Sequence, residues 1–183
     1  MKILRWIFWV LNKFFMVPLF RLGLGPFIGN PITGYIMVVK TTGRKTGKTR
    51  YTPVNYAIKN GNVYCIAGFG RSSDWYLNIQ DNPNVELILP SGPISGVVEE
   101  VSNPDKALKV ARLLFKNSGF AVIFVGFNPF AISDDQIHGV LKRAPVLHIR
   151  PTGLGSGASD PQGWMWVTMT AITLLALYLI LWR

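Results

Sequence analysis

Tyr51-Thr52-Pro53-Val54-Asn55-Tyr56-Ala57-Ile58-Lys59-Asn60-Gly61-Asn62-Val63-Tyr64-Cys65-Ile66-Ala67-Gly68-Phe69 reads as a β-hairpin. Two runs rich in β-branched and aromatic residues flank Asn60-Gly61, a dipeptide suited to a two-residue turn in which both φ angles are positive. Alternation along the first run sets Tyr51, Pro53 and Asn55 on one face and Thr52, Val54 and Tyr56 on the other. Working outward, residues 35–42 form a preceding strand. Residues 84–89 and 94–101 flank Pro90-Ser91-Gly92-Pro93, a stretch of turn chemistry, and 146–150 adds a sixth strand. Helices are expected over 73–80, over 104–116 with Asn103 as N-cap and Pro104 in the first turn, and from Ser133 to near Arg143. The chain is therefore expected to be mainly β with peripheral helices. Six strands of this kind suit a small barrel, whose closure removes sheet edges and leaves a mouth for a ligand.

Immediately before the hairpin stands Thr41-Thr42-Gly43-Arg44-Lys45-Thr46-Gly47-Lys48-Thr49-Arg50. Two glycines free the backbone to approach a ligand, and successive N–H groups in such a turn form an anion-binding nest. Arg44, Lys45, Lys48 and Arg50 add positive charge around it. The loop suits a phosphate or a polyanionic tail. It is not a nucleotide-binding P-loop: that motif requires glycine at position 42, where Thr42 stands, and a helix afterwards, where a strand follows.

The 183 residues carry a net charge of +10, which invites nucleic acid, an anionic lipid surface or an acidic ligand. No common nucleic-acid-binding motif is present, and the charge concentrates in the 40–50 loop and at the N-terminus, in Lys2, Arg5, Lys13 and Arg21. The single cysteine, Cys65, lies in an apolar run and reads as core, and one cysteine cannot form an internal disulfide, which points to a reducing compartment. His138 and His148 have no metal-ligand spacing, so metal catalysis is not expected.

The two ends read differently. Residues 1–24 suit an amphipathic helix with a basic side, fit either for an anionic bilayer surface or for packing on the barrel. Residues 153–163 are rich in Gly, Ser and Pro and read as a flexible linker. From Trp164 to Trp182 no charge occurs, and tryptophans mark both ends. At 19 residues, close to the ~20 that span a bilayer, this run is expected to be a transmembrane helix. Lys142, Arg143 and Arg150 before it, against Arg183 alone beyond it, predict a single-pass cell-membrane protein with its catalytic domain on the cytoplasmic side.

Several pieces in order carry a family likeness: Thr41-Thr42-Gly43-Arg44-Lys45-Thr46-Gly47-Lys48, Tyr51-Thr52-Pro53-Val54, Ala67-Gly68-Phe69-Gly70, Ser73-Asp74-Trp75-Tyr76-Leu77-Asn78, Asn82-Pro83-Asn84-Val85 and the late Pro145-Val146-Leu147-His148-Ile149-Arg150. This order resembles the deazaflavin-dependent nitroreductase family of split β-barrel flavin and deazaflavin oxidoreductases, over about residues 25–152. The resemblance implies a six-stranded split β-barrel and coenzyme F420, a deazaflavin with a phosphodiester and an oligoglutamate tail. FMN is the alternative, although its single phosphate accounts less well for four cations. By resemblance, Arg44, Lys45, Thr46 and Lys48, helped by Arg50, hold the anionic groups. Thr52, Pro53 and Val54 present backbone beside the ring, with Ala67, Gly68 and Phe69 on the next strand, and Ser72, Ser73, Trp75, Tyr76 and Asn78 close over it. The expected reaction is hydride transfer from reduced F420 to a lipophilic quinone, enone or nitro-type acceptor, with Tyr56, Tyr76, Ser72 or water supplying a proton. Asn55 stands where some members carry a tyrosine facing substrate, so the acceptor does not carry over. The apolar stretch 119–132 reads as core, as a substrate wall or as a segment dipping toward lipid. The expected partners are F420, the acceptor and membrane lipid, with no nucleic acid, and the sequence is compatible with a homodimer. A non-catalytic, membrane-anchored cofactor-binding module is the rival that lacks chemistry.

Overall fold

The computed structural model describes residues 2–30, 33–119, 122–123, 126–128, 130–157 and 164–182, with the side chains of 2–5 and 165 excepted. The second half of the expected linker, 158–163, part of the apolar stretch 119–132, and Arg183 lie outside the described residues.

Six antiparallel strands, β1 (Ile36–Thr42), β2 (Thr49–Lys59), β3 (Asn62–Ile66), β4 (Asn84–Leu89), β5 (Gly92–Glu100) and β6 (Val146–Leu154), close into a barrel in the order β1-β2-β3-β6-β5-β4. The Asn60-Gly61 turn forms as its chemistry requires, with φ of 52° and 72°, and it pairs Lys59 with Asn62. Closure needs a bend between β5 and β6, and the register shifts at Ser95/Gly96. A Cβ at Gly96 would stand 2.9 Å from Ile149 Cγ2, so the bend depends on glycine there.

Alternation divides the barrel into an inside and an outside. Met37, Val39, Tyr56, Cys65, Leu87, Val98, Leu147 and Ile149 form the interior core. Ala57, Tyr64 and Val146 face outward and are covered by α5 (Pro104–Asn117) and its neighbour α6 (Asp134–Leu141). Both helices start as the sequence dictates. The Asn103 side chain accepts from the Lys106 amide at 2.8 Å, and Ser133 with Gln136 forms a reciprocal capping box.

The N-terminal segment runs as α1 (Lys2–Leu11), a π-helical turn (Asn12–Met16), α2 (Val17–Arg21) and α3 (Gly25–Ile28). Phe20 is buried, whereas Trp6, Trp9, Phe14 and Phe15 are exposed. Helix α4 (Asp74–Asp81) packs against β1.

The C-terminal expectation is corrected. Helix α7 (Met165–Leu181) is 17 residues, because Trp164 and Trp182 serve as its caps and add no helical rise. Its length is about 25 Å at 1.5 Å per residue, short of the ~30 Å hydrocarbon core. Among the described residues no helix is long and apolar enough to cross a membrane. The single-pass reading is withdrawn with it.

Candidate cofactor site

The basic loop joins β1 to β2 at the end of the barrel where β3 and β5 also finish and where β4 and β6 begin. Gly43 N–H donates to the Lys48 carbonyl at 2.9 Å, and the Thr46 and Gly47 amides donate back to the Gly43 carbonyl at 3.1 and 2.8 Å. Gly47 takes φ +65°, the conformation that favours glycine. The Lys48 amide donates to Thr46 Oγ1 at 3.4 Å and the Arg44 amide to Asn78 Oδ1 at 3.2 Å. These amides are satisfied within the protein, so the loop is not the open nest its glycines suggested. Anion attraction falls to side chains.

Those side chains divide into two kinds. Lys45, Lys48 and Arg50 are exposed and have no carboxylate partner among the described residues. Arg44 differs, with a side chain only 22% exposed. Its Nη1 donates to Asn78 Oδ1 at 3.1 Å and to the Asp74 carbonyl at 3.3 Å, and its Nη2 pairs with Asp74 Oδ1 at 3.0 Å. Thr46 is exposed beside them.

Helix α4 closes over the same end. Ser73 sits at its N-cap, but its hydroxyl donates to the Gly70 carbonyl at 2.7 Å and holds the preceding turn. Trp75, Tyr76 and Asn78 are buried. Opposite Arg44, the helix is tied a second time. Tyr76 Oη donates to Glu100 Oε2 at 2.8 Å and accepts from Arg71 Nη1 at 2.8 Å, while Arg71 also grips both Glu100 oxygens. Hydrogen bonding from Arg71, which outweighs partial burial, holds the Glu100 carboxyl below its ordinary range. Burial, followed by the bond to Glu100, pushes the Tyr76 phenol up.

The other expected site residues separate by face. Thr52 and Val54 are half-buried on the inward side of β2, and Pro53 lies on its outward side. Tyr56 points into the interior core, edge-on to the Tyr35 ring at 6.2 Å. Burial, then Tyr35, raises its pKa. Ala67 is buried, while Gly68 and Phe69 are exposed on the turn after β3, where Phe8 of α1 meets Phe69 edge-on at 6.0 Å. Ser72 is exposed on the turn leading into α4. The loop, residues 67–73 and α4 are therefore gathered at one barrel end, and the Tyr56 hydroxyl is not among them. Burial pushes the Cys65 thiol up to about 12, which removes it as a nucleophile.

Sequence reasoning missed Asp74 and Glu100 as partners of this site, and it missed Phe8. Glu100 lies 29 residues from Arg71, and no local pattern links the two. Two grooves lie elsewhere. One, of about 420 Å³, is lined by Arg21, Lys40, Tyr51, Glu86 and Ser156 among others; the second, of about 630 Å³, includes Lys59, Tyr64, Lys106 and Lys109.

The family described as F420H(2)-dependent quinone reductase matches residues 20–122. An F420H(2)-dependent quinone reductase of Mycobacterium tuberculosis (strain ATCC 25618 / H37Rv) is 36% identical over 99 residues, 48% of this chain and 63% of that protein. The chain thus spans 63% of the length of the curated relatives it matches. Among solved structures, an F420-H2 dependent reductase superposes with a TM-score of 0.42 at 21% identity, covering 63% of this chain and 93% of that one. An F420 reductase gives 0.45 at 17% identity, covering 70% and 92%.

Proposed function

The chain belongs to the F420H(2)-dependent quinone reductase family, and on that premise we propose that it is an F420H2-dependent oxidoreductase that reduces a lipophilic, quinone-type acceptor. The observation that carries the cofactor reading is the trio Lys45, Lys48 and Arg50, exposed at the barrel mouth beside β2 with no carboxylate partner among the described residues. A donor set of three exposed cations fits a phosphodiester followed by glutamate carboxylates, since each can make charge-assisted hydrogen bonds to such oxygens. The FMN alternative finds no support in the family match.

When bound, reduced F420 supplies the hydride, and the protein's task is to orient it and shield the site. Lys45, Thr46, Lys48 and Arg50 would hold the anionic end. Pro53 and the Gly68–Phe69 turn would flank the ring, and Trp75 is buried in the interior core. Ser72 is the best of the three expected proton carriers. It is exposed on the turn entering α4, whereas Tyr56 lies inside the barrel and the Tyr76 proton is held by Glu100. Ser72 would relay a proton from water to the reduced acceptor.

A lipophilic acceptor is supported by the surface of the N-terminal segment. Trp6, Trp9, Phe14 and Phe15 are exposed, Lys13 lies over the Trp9 ring at 4.7 Å, and no acidic residue precedes Asp74. Aromatic side chains with cations and no acids suit the headgroup region of an anionic bilayer. Through Phe8 the same helix reaches the Phe69 turn, so an acceptor held in lipid would arrive beside the ring.

The test is a fluorescence titration of the full chain with F420, with F420 lacking glutamates and with FMN. Absorbance-monitored F420H2 oxidation with a quinone in anionic vesicles follows. Tight F420 binding, weaker without the tail, together with quinone-dependent oxidation is expected. FMN binding alone, or F420 binding without turnover of any acceptor, would defeat the proposal.

A further inference from the structure

We propose that Arg44 is a positioning residue, committed to helix α4, and that it shapes the 43–48 loop so that Lys45, Lys48 and Arg50 carry the anionic ligand. The inference deepens the cofactor reading above and rests on it for the identity of the ligand. Its geometric core stands apart from the ligand.

Four observations carry it. The Arg44 guanidinium already has three acceptors, Asn78 Oδ1, the Asp74 carbonyl and Asp74 Oδ1, at 3.1, 3.3 and 3.0 Å. Its backbone amide donates to the same Asn78 oxygen at 3.2 Å, so side chain and backbone of one residue converge on one buried acceptor. Asn78 is 4% exposed, and an oxygen so buried would be costly to leave without donors. Finally, Arg44 is the most covered of the four loop cations, while Lys45, Lys48 and Arg50 are all exposed. A planar, five-donor fork suits this arrangement in a way that a lysine ammonium cannot.

The arrangement has a consequence for specificity. Turning the Arg44 side chain toward a ligand would strip Asn78 Oδ1 of its guanidinium donor and Asp74 of its ion-pair partner, loosening the loop from α4. The cost of that rearrangement favours anions that Lys45, Lys48 and Arg50 can reach from the existing loop. Arg44 thus acts on the ligand through the loop backbone. A neutral change at its partner, Asn78→Ala, should mimic loss of Arg44 itself.

The experiment compares Arg44→Gln, Arg44→Lys, Asn78→Ala, the Arg44→Gln/Asn78→Ala double variant and Lys48→Gln in the full chain. F420 affinity is measured across salt concentrations, and amide hydrogen exchange of residues 43–48 is measured without ligand. Direct ion contacts weaken as salt screens them, so a lost ligand-binding cation lowers the salt sensitivity of binding. Lys48→Gln is expected to flatten the salt dependence. Arg44→Gln and Asn78→Ala are each expected to weaken F420 binding roughly tenfold at every salt concentration, with the salt dependence unchanged. The double variant should be no worse than either single one, as expected for two residues acting as a unit. Arg44→Lys should not rescue. In the free protein both changes should speed exchange of the Arg44, Thr46 and Gly47 amides.

The proposal is overturned if Arg44→Gln flattens the salt dependence as Lys48→Gln does, if Arg44→Lys restores affinity, or if the loop amides exchange at the wild-type rate in Asn78→Ala. Absence of F420 binding in the wild type would instead sink the cofactor reading, and amide exchange would still decide the role of Arg44.

Discussion

Replacing Tyr76 with phenylalanine removes one oxygen from a position where two charged groups meet. That hydroxyl donates to Glu100 at 2.8 Å and accepts from Arg71 at 2.8 Å, and the ring carrying it is 4% exposed. Hydrogen bonds to charged partners contribute ~1.5–3 kcal/mol each where the partner is then left unsatisfied. Here Arg71 and Glu100 retain each other, and their side chains are 53% and 31% exposed, so water replaces much of what is lost. The expected cost of Tyr76→Phe is therefore about 1 kcal/mol. For a chain of this size that corresponds to a fall of roughly 2–4 °C in Tm. The sign with pH follows from Glu100, whose folded carboxyl lies below its ordinary value because of Arg71 and Tyr76. A lowered folded pKa contributes stability above the unfolded value of about 4.3 and loses it as pH falls through the folded value. The gap between wild type and Tyr76→Phe should be full at neutral pH and narrow on acidification below that point. Urea unfolding at several pH values measures it, with an unchanged m-value as the check that only stability moved. A variant as stable as wild type at pH 7, or a gap that persists unchanged in acid, would refute the reasoning.

Three further outcomes are expected. Ser72→Ala should lower kcat for quinone reduction several-fold with little change in KM, measured by steady-state F420H2 oxidation, if Ser72 relays the proton. Gly119→Ala should destabilise by roughly 2 kcal/mol or more in urea unfolding, because a Cβ there would stand 2.5 Å from the Thr33 carbonyl at a φ of +54°. Cys65, with its thiol pushed up to about 12, should resist a thiol reagent at pH 8 in the folded chain and react fully once urea unfolds it.

Much of the fold was legible because its signals are local. The β2–β3 turn needs two residues with positive φ, and Asn60-Gly61 supplies them within the hairpin itself. Asn103 and Ser133 announce helix starts because a cap acts within four residues. Strand ends were less sharp: β3 stops at Ile66, where residues up to 69 were expected, because the next partner on β6's side, Pro145, accepts from the Ala67 amide but has no N–H to return, and the Gly68 and Gly70 amides then fold back onto the Ile66 and Ala67 carbonyls. The candidate site was legible in residue type and only partly in use. Arg44, Lys45, Lys48 and Arg50 look alike in sequence, yet one of them is tied to a helix 30–34 residues away.

By itself the sequence determined the strands, their turns, the capped helices and the clustering of basic residues before β2, since each depends on groups a few positions apart. Tertiary structure decided the rest. Barrel closure brought Glu100 to Tyr76 and Asn78 to Arg44, separations of 24 and 34 residues across which only packing chooses a partner.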